Sequence, residues 1–345
     1  MRLYRDANRF TIILLLSWSL PGVASAQAGA IDQRIDDLLS RMTLDEKAGQ
    51  LAQYSGFSED RATAISEGRV GSLLNVTGAE NTNRVQRIAV EESRLGIPLL
   101  FGLDVIHGYR TIFPIPLATA SSWDPELVTS IETIAAREAR AAGVHWTFAP
   151  MVDIARDPRW GRIAEGAGED PYLGAVMAAA RVRGFQGDNV AAPDRIIACL
   201  KHYVAYGAPV GGRDYNSVDM SERTLREIYL PPYKAGVDAG AATVMSAFNL
   251  LNGVPATANT FTINGILRGE WGFDGLIVSD WNSVGELITH GYAADARDAA
   301  RLAFEATIDM DMMGDIYARQ LAGLVRAGVI PEASLDESVR RVLRA

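Results

Sequence analysis

The apolar positions of this chain fall into two alternating rhythms. Short apolar runs stand at 70–76, 98–105, 146–152, 196–204, 242–248, 276–279 and 306–313. Between them lie stretches with apolar residues every three or four positions, among them 126–142, 221–239 and 293–306. The runs suit strands buried on both faces, as in a parallel sheet, and the periodic stretches suit helices that cover it. Seven such units are too many for a small doubly wound domain. They predict an α/β fold, a TIM-like (β/α)8 barrel with one βα unit irregular or missing from the pattern. Ahead of the first run, Ile31, Ile35, Leu38, Leu39 and Met42 form a helical stripe, and Thr43-Leu-Asp-Glu46 is a capping box that starts a second helix. Ser221 suits an N-cap, and Pro231-Pro232 should kink or split the helix that follows. Residues 331–345 form an amphipathic helix that breaks off without a cap.

In a barrel of this kind the C-terminal ends of the strands carry the chemistry. The stretch Gly275-Leu-Ile-Val-Ser-Asp280-Trp281 delivers a carboxylate and an indole at such an end. A carboxylate can attack or stabilise an anomeric carbon, and a flat ring can pack on a sugar face, so Asp280 is the leading candidate for chemistry. The plain alternative is a cap for the next helix. Other strand ends are polar too: Asp104 and His107, then Asp153 followed by Arg156-Asp-Pro-Arg-Trp-Gly-Arg162, then Met245 and Asn249. Lys201-His202 sits inside an otherwise apolar run. Strand alternation sends one of these two side chains into the barrel mouth and the other toward the helices, unless a bulge turns both inward. A buried lysine needs a carboxylate or a polar ligand. Charged groups converging on one mouth suit a polyhydroxylated ligand, which they would orient through strong hydrogen bonds.

Composition narrows the choice. A formal net charge of −9 argues against nucleic acid and against an anionic membrane surface. The single cysteine, Cys199, and four scattered histidines offer no metal-ligand spacing, and no phosphate loop or dinucleotide fingerprint is present. Neither a metal nor an organic cofactor is expected. Arg2, Arg5 and Arg9 precede the apolar run 11–20, and Ala24-Ser-Ala26 follows it. That is the layout of a secretory signal peptide over residues 1–26, with cleavage after Ala26 and a periplasmic or secreted mature chain beginning at residue 27. The run is half the roughly 20 residues that would span a bilayer.

Seven strings, in order, resemble glycoside hydrolase family 3, especially its bacterial periplasmic β-glucosidases. They are Met42-Thr-Leu-Asp-Glu-Lys-Ala-Gly-Gln-Leu51, Gly102-Leu-Asp-Val-Ile-His-Gly108, Ala149-Pro-Met-Val-Asp153, Arg156-Asp-Pro-Arg-Trp-Gly-Arg162, Gly168-Glu-Asp-Pro171, Lys201-His202 and Val278-Ser-Asp-Trp281. The resemblance implies that residues 27–345 are the family's N-terminal barrel, belonging to a retaining, exo-acting enzyme that removes nonreducing-end β-D-glucosyl residues from β-glucosides or β-linked oligosaccharides. It implies Asp280 as nucleophile, Asp104, Arg162, Lys201 and His202 as ligands of sugar hydroxyls, and Met245 and Trp281 as pocket lining. Phe248 stands where many relatives carry a tyrosine. Lys201 and Arg162 should hold Asp280 ionised by opposite charge, and a second carboxyl group should lie about 5–5.5 Å from it. Most members place that acid/base on a following α/β-sandwich domain, which is expected to lie outside these 345 residues; a branch that carries a His-Asp pair after its Lys-His does not match Tyr203-Val-Ala-Tyr-Gly-Ala-Pro-Val-Gly-Gly-Arg-Asp-Tyr215, which has no histidine. The general acid/base is therefore expected to be missing from these residues. A noncatalytic sugar-binding barrel, or one half of a split enzyme, is the alternative reading, and β-xylosidase-type specificity is another.

Overall fold

A computed structural model describes residues 21–345. Eight strands among them build the central sheet: β1 Ala52–Ser55, β2 Ser72–Leu74, β3 Leu100–Leu103, β4 Trp146–Thr147, β5 Cys199–Tyr203, β6 Thr243–Ser246, β7 Leu276–Val278 and β8 Asp311–Met312. Every pairing is parallel. Five strands run in the order β8-β1-β2-β3-β4 and three in the order β5-β6-β7. Isolated bridges join the two groups at both edges, Trp146 to Ile197 and Met151 to Lys201 on one side and Val278 to Met310 on the other. The circuit is thereby closed, as the predicted barrel requires.

The unit missing from the apolar pattern is β1. Its Gln53 is wholly buried, and Nε2 donates to Ser72 Oγ at 2.7 Å, which in turn donates to Leu100 O. A polar side chain in the barrel interior broke the hydrophobic run that marks the other strands. Elsewhere the interior is filled by large rings. Trp146 Nε1 donates to Thr243 Oγ1 at 2.8 Å across the barrel, and Phe148 lies over Gly102, where a Cβ would stand 2.8 Å from the ring. Only glycine fits beneath that phenyl.

The helices form the outer layer. Thr43 caps Leu44–Gln50 through the full capping box that the sequence predicts. The first helix runs from Pro21 to Arg41, longer than the stripe from Ile31. The segment expected to be helical over 221–239 is split, as the two prolines dictate: Glu222–Thr224, a π turn at Leu225–Tyr229, then Pro231–Asp238. The arginines and apolar run of the expected signal peptide lie outside the described residues.

A buried carboxylate ties the end opposite the mouth together. Asp309 accepts from Ile277 N, Arg268, Ser338 and Arg341, each at 2.7–2.8 Å. Through Ser338 and Arg341 it anchors the last helix, Glu332–Arg344, whose Arg340 and Arg344 reach Asp36 and Asp32 of the first.

Candidate active site

The loops after β3, β4 and β7, together with the C-terminal half of β5, bring the predicted polar residues to one mouth. Asp280 follows β7 after a single residue, Ser279, and is 8 % exposed. Its Oδ1 accepts the Trp281 amide at 2.7 Å, while its Oδ2 has no hydrogen-bond partner. A buried carboxylate oxygen is rarely left so. Burial pushes the Asp280 carboxyl up to about 7, against the pull of the Trp281 amide and of the Lys201 and Arg162 charges. The expectation that the two cations would dominate is therefore corrected: in the ligand-free site desolvation outweighs them.

Lys201 and His202 both reach the mouth, so the simple alternation does not hold. Pairing between β5 and β6 shifts register between Leu200 and Tyr203, which lets adjacent residues serve one site. Lys201 Nζ is buried and meets Asp104 Oδ1 at 2.6 Å, whereas half of the Asp104 side chain faces solvent. The lysine thus has the partner that its burial demands, and the aspartate keeps an edge free for a ligand.

His202 is wholly enclosed. Its Nδ1 lies 2.9 Å from Asp153 Oδ2, and its amide donates to the same oxygen at 2.9 Å. The Tyr233 hydroxyl stands 2.8 Å from Asp153 Oδ1 and 2.5 Å from His202 O. On the far side of the ring, Nε2 is 3.1 Å from Arg162 Nη2 and 3.6 Å from Asp280 Oδ2. Burial, together with the charges of Arg162 and Lys201, pushes the imidazole well below its ordinary range, so the ring is neutral. Arg162 is gripped by Glu165 through two bonds, of 2.6 and 2.9 Å. Its guanidinium also lies over the Tyr206 ring, 5.4 Å from the centroid.

Met245 is buried on β6 in register with Val278, one inward position beyond Thr243. That alternation aims it into the barrel toward the Asp280 end. Trp281 is 45 % exposed beside the mouth. Phe248 joins an aromatic wall with Tyr206 and Tyr215, at 5.9 and 4.7 Å between centroids. His107 stands apart from these contacts, with Nδ1 on Phe113 O at 3.1 Å. Asp153 and Glu165 were visible among the polar residues that follow the 146–152 strand, but Tyr233 and Tyr206 carried no local signal of a place in the site.

Comparison with known proteins settles the ancestry. The model of the glycosyl hydrolase family 3 N-terminal domain matches residues 43–345. The chain belongs to glycosyl hydrolase family 3. Among its family 3 relatives, a periplasmic β-glucosidase of Salmonella typhimurium is 45 % identical over 318 residues, covering 91 % of this chain and 42 % of that protein. A putative β-xylosidase of Formosa agariphila is 34 % identical over 341 residues, 91 % of this chain and 45 % of the relative. The crystal structure of a β-glucosidase from Listeria innocua in complex with glucose superposes with a TM-score of 0.86 at 42 % identity, over 90 % of this chain and 46 % of the other. This family 3 chain thus spans less than half the length of each of these three relatives.

Proposed function

We propose that this barrel carries the nucleophile of a retaining, exo-acting β-glycosidase of the β-glucosidase type. The observation that carries the reading is Asp280: an enclosed carboxylate, one oxygen fixed by the Trp281 amide and the other without a hydrogen-bond partner, under the charges of Lys201 and Arg162. An acceptor fully bonded to the protein would have no lone pair directed at substrate. In this reading Oδ2 attacks the anomeric carbon, the bond to the departing oxygen breaks, and a covalent glycosyl-enzyme forms that water then hydrolyses. A neighbouring cation stabilises the attacking carboxylate once the sugar has displaced water.

The remaining residues hold the sugar. Asp104 accepts from hydroxyls on its exposed edge while Lys201 donates to them, and Arg162 uses the N–H groups that Glu165 and His202 leave over. Met245 lines the pocket floor, and Trp281 offers its exposed ring face. The substrate is a β-glucoside or β-linked oligosaccharide. The general acid/base comes from a following α/β-sandwich domain, and the protein is exported by a signal peptide cleaved after Ala26 to the periplasm or beyond. β-Xylosidase specificity is the second reading, supported by the relatives named β-xylosidases at 34 and 38 % identity.

A mechanism-based 2-fluoro glycoside with an activated leaving group tests the core of this. Peptide mass spectrometry should find the sugar on Asp280, and Asp280→Asn should abolish labelling. Label on another residue, or hydrolysis undiminished in the Asn variant, would remove the assignment. Fluoro-glucoside against fluoro-xyloside, compared by labelling rate, separates the two specificities.

A further inference from the structure

Imidazole Nε2 of His202 lies between two possible partners, Arg162 Nη2 at 3.1 Å and Asp280 Oδ2 at 3.6 Å. A guanidinium can only donate, so with Arg162 the nitrogen must be the acceptor. A carboxylate can only accept, so with Asp280 it would have to be the donor. The choice is made on the other side of the ring. Asp153 Oδ2 takes the His202 amide and faces Nδ1, both at 2.9 Å, so Nδ1 carries the proton and Nε2 keeps its lone pair. Protonation of Asp153 does not undo this. A proton on Oδ1 is accommodated by Tyr233, whose hydroxyl can donate to His202 O at 2.5 Å instead. The acceptor toward Nδ1 survives in either state.

We propose that Asp153, supported by Tyr233, is a positioning residue: it fixes His202 in the Nδ1–H tautomer, so that the imidazole holds Arg162 and leaves Asp280 Oδ2 unbonded. Were the tautomer reversed, Nε2–H would point at Oδ2 across 3.6 Å and repel the Arg162 N–H. The nucleophile would then be tied up by a neutral donor, and the arginine would lose one of its two anchors. The free lone pair on Asp280 is thus maintained from a residue that does not touch it. This deepens the assignment of Asp280 as nucleophile and rests on it for its catalytic consequence, although the tautomer itself does not depend on that assignment.

The test separates the two. Nitrogen-15 histidine labelling of the chain, with His202 assigned by a His202→Gln spectrum, should show Nδ1 protonated and Nε2 unprotonated near neutral pH. Asp153→Ala removes the acceptor and should move His202 toward the Nε2–H form. Asp153→Asn can keep a carbonyl oxygen toward Nδ1 and turn its amide toward the Tyr233 hydroxyl, and should keep the wild-type signature. Fluoro-glycoside labelling of Asp280 should slow on the order of 10²-fold in the Ala variant and much less in the Asn variant. An Nε2–H signal in the wild-type chain overturns the proposal even if the Ala variant does not fold. So does an unchanged tautomer in a folded Ala variant. Normal tautomer shifts without any labelling of Asp280 would instead count against the nucleophile assignment alone.

Discussion

At the scale of single residues, the site is arranged at the expense of stability. The carboxyl of Asp280 is raised by burial to about 7 from an ordinary 3.8. A folded-state value above the unfolded one means that the folded chain holds its proton too long. The penalty is therefore fully present above about pH 7, shrinks as pH falls, and vanishes below about pH 4. Its ceiling is about 4 kcal/mol. Asp280→Asn should accordingly unfold at higher denaturant than wild type at pH 8 and show no gain at pH 4. An equal midpoint at pH 8 would mean that the cations already compensate the buried charge. The same physics says how far this residue could be read in the sequence. An acid directly after a short apolar run locates the mouth, but whether burial or its neighbours set its charge depends on Lys201 and Arg162, 79 and 118 positions upstream.

Among elements, legibility followed hydrophobic contrast. Seven strands were visible because their residues face other apolar groups. β1 was not, because Gln53 spends its side chain on Ser72 inside the barrel. The capping box at Thr43 needed only four consecutive residues and was readable in full. The placement of His202 beside Lys201 needed a register shift that no local pattern encodes. Tyr233 reaches Asp153 from a helix 80 residues on. Asp309 was hidden in the same way, since it lies within an apolar run and draws its partners from three other segments. Replacing it with alanine leaves Arg268 and Arg341 facing a hole near the last helix. Removing one partner of a buried ion pair costs about 3–5 kcal/mol, so Asp309→Ala should lower the unfolding free energy by about that amount. Susceptibility to protease near Glu332–Arg344 should rise with it. A loss under about 1 kcal/mol would mean that the arginines find solvent, the behaviour of a surface pair.

At the scale of the whole molecule, the question is what a barrel can do when it holds the proposed nucleophile but the proton donor is assigned elsewhere. The two halves of the reaction place different demands on the protein. In the proposed reaction, attack by Asp280 draws on the mouth alone: the carboxylate, Lys201 and the anchored Arg162. Departure of the leaving group needs a proton in proportion to its basicity, and general acid catalysis contributes about 10²–10⁴-fold to that step. Nitrophenolate leaves without help, whereas a sugar alkoxide does not. The 345-residue chain by itself should therefore cleave aryl β-glycosides far faster than β-linked disaccharides, and adding azide to the aryl reaction should divert product to the glycosyl azide. Equal rates on both substrates would place an acid within these residues. The groups to replace then are Asp214 and Glu286, whose charges act on the Tyr215 hydroxyl together with that of Asp280. No turnover of either substrate, with glucose still bound in a calorimeter, would favour the noncatalytic sugar-binding barrel.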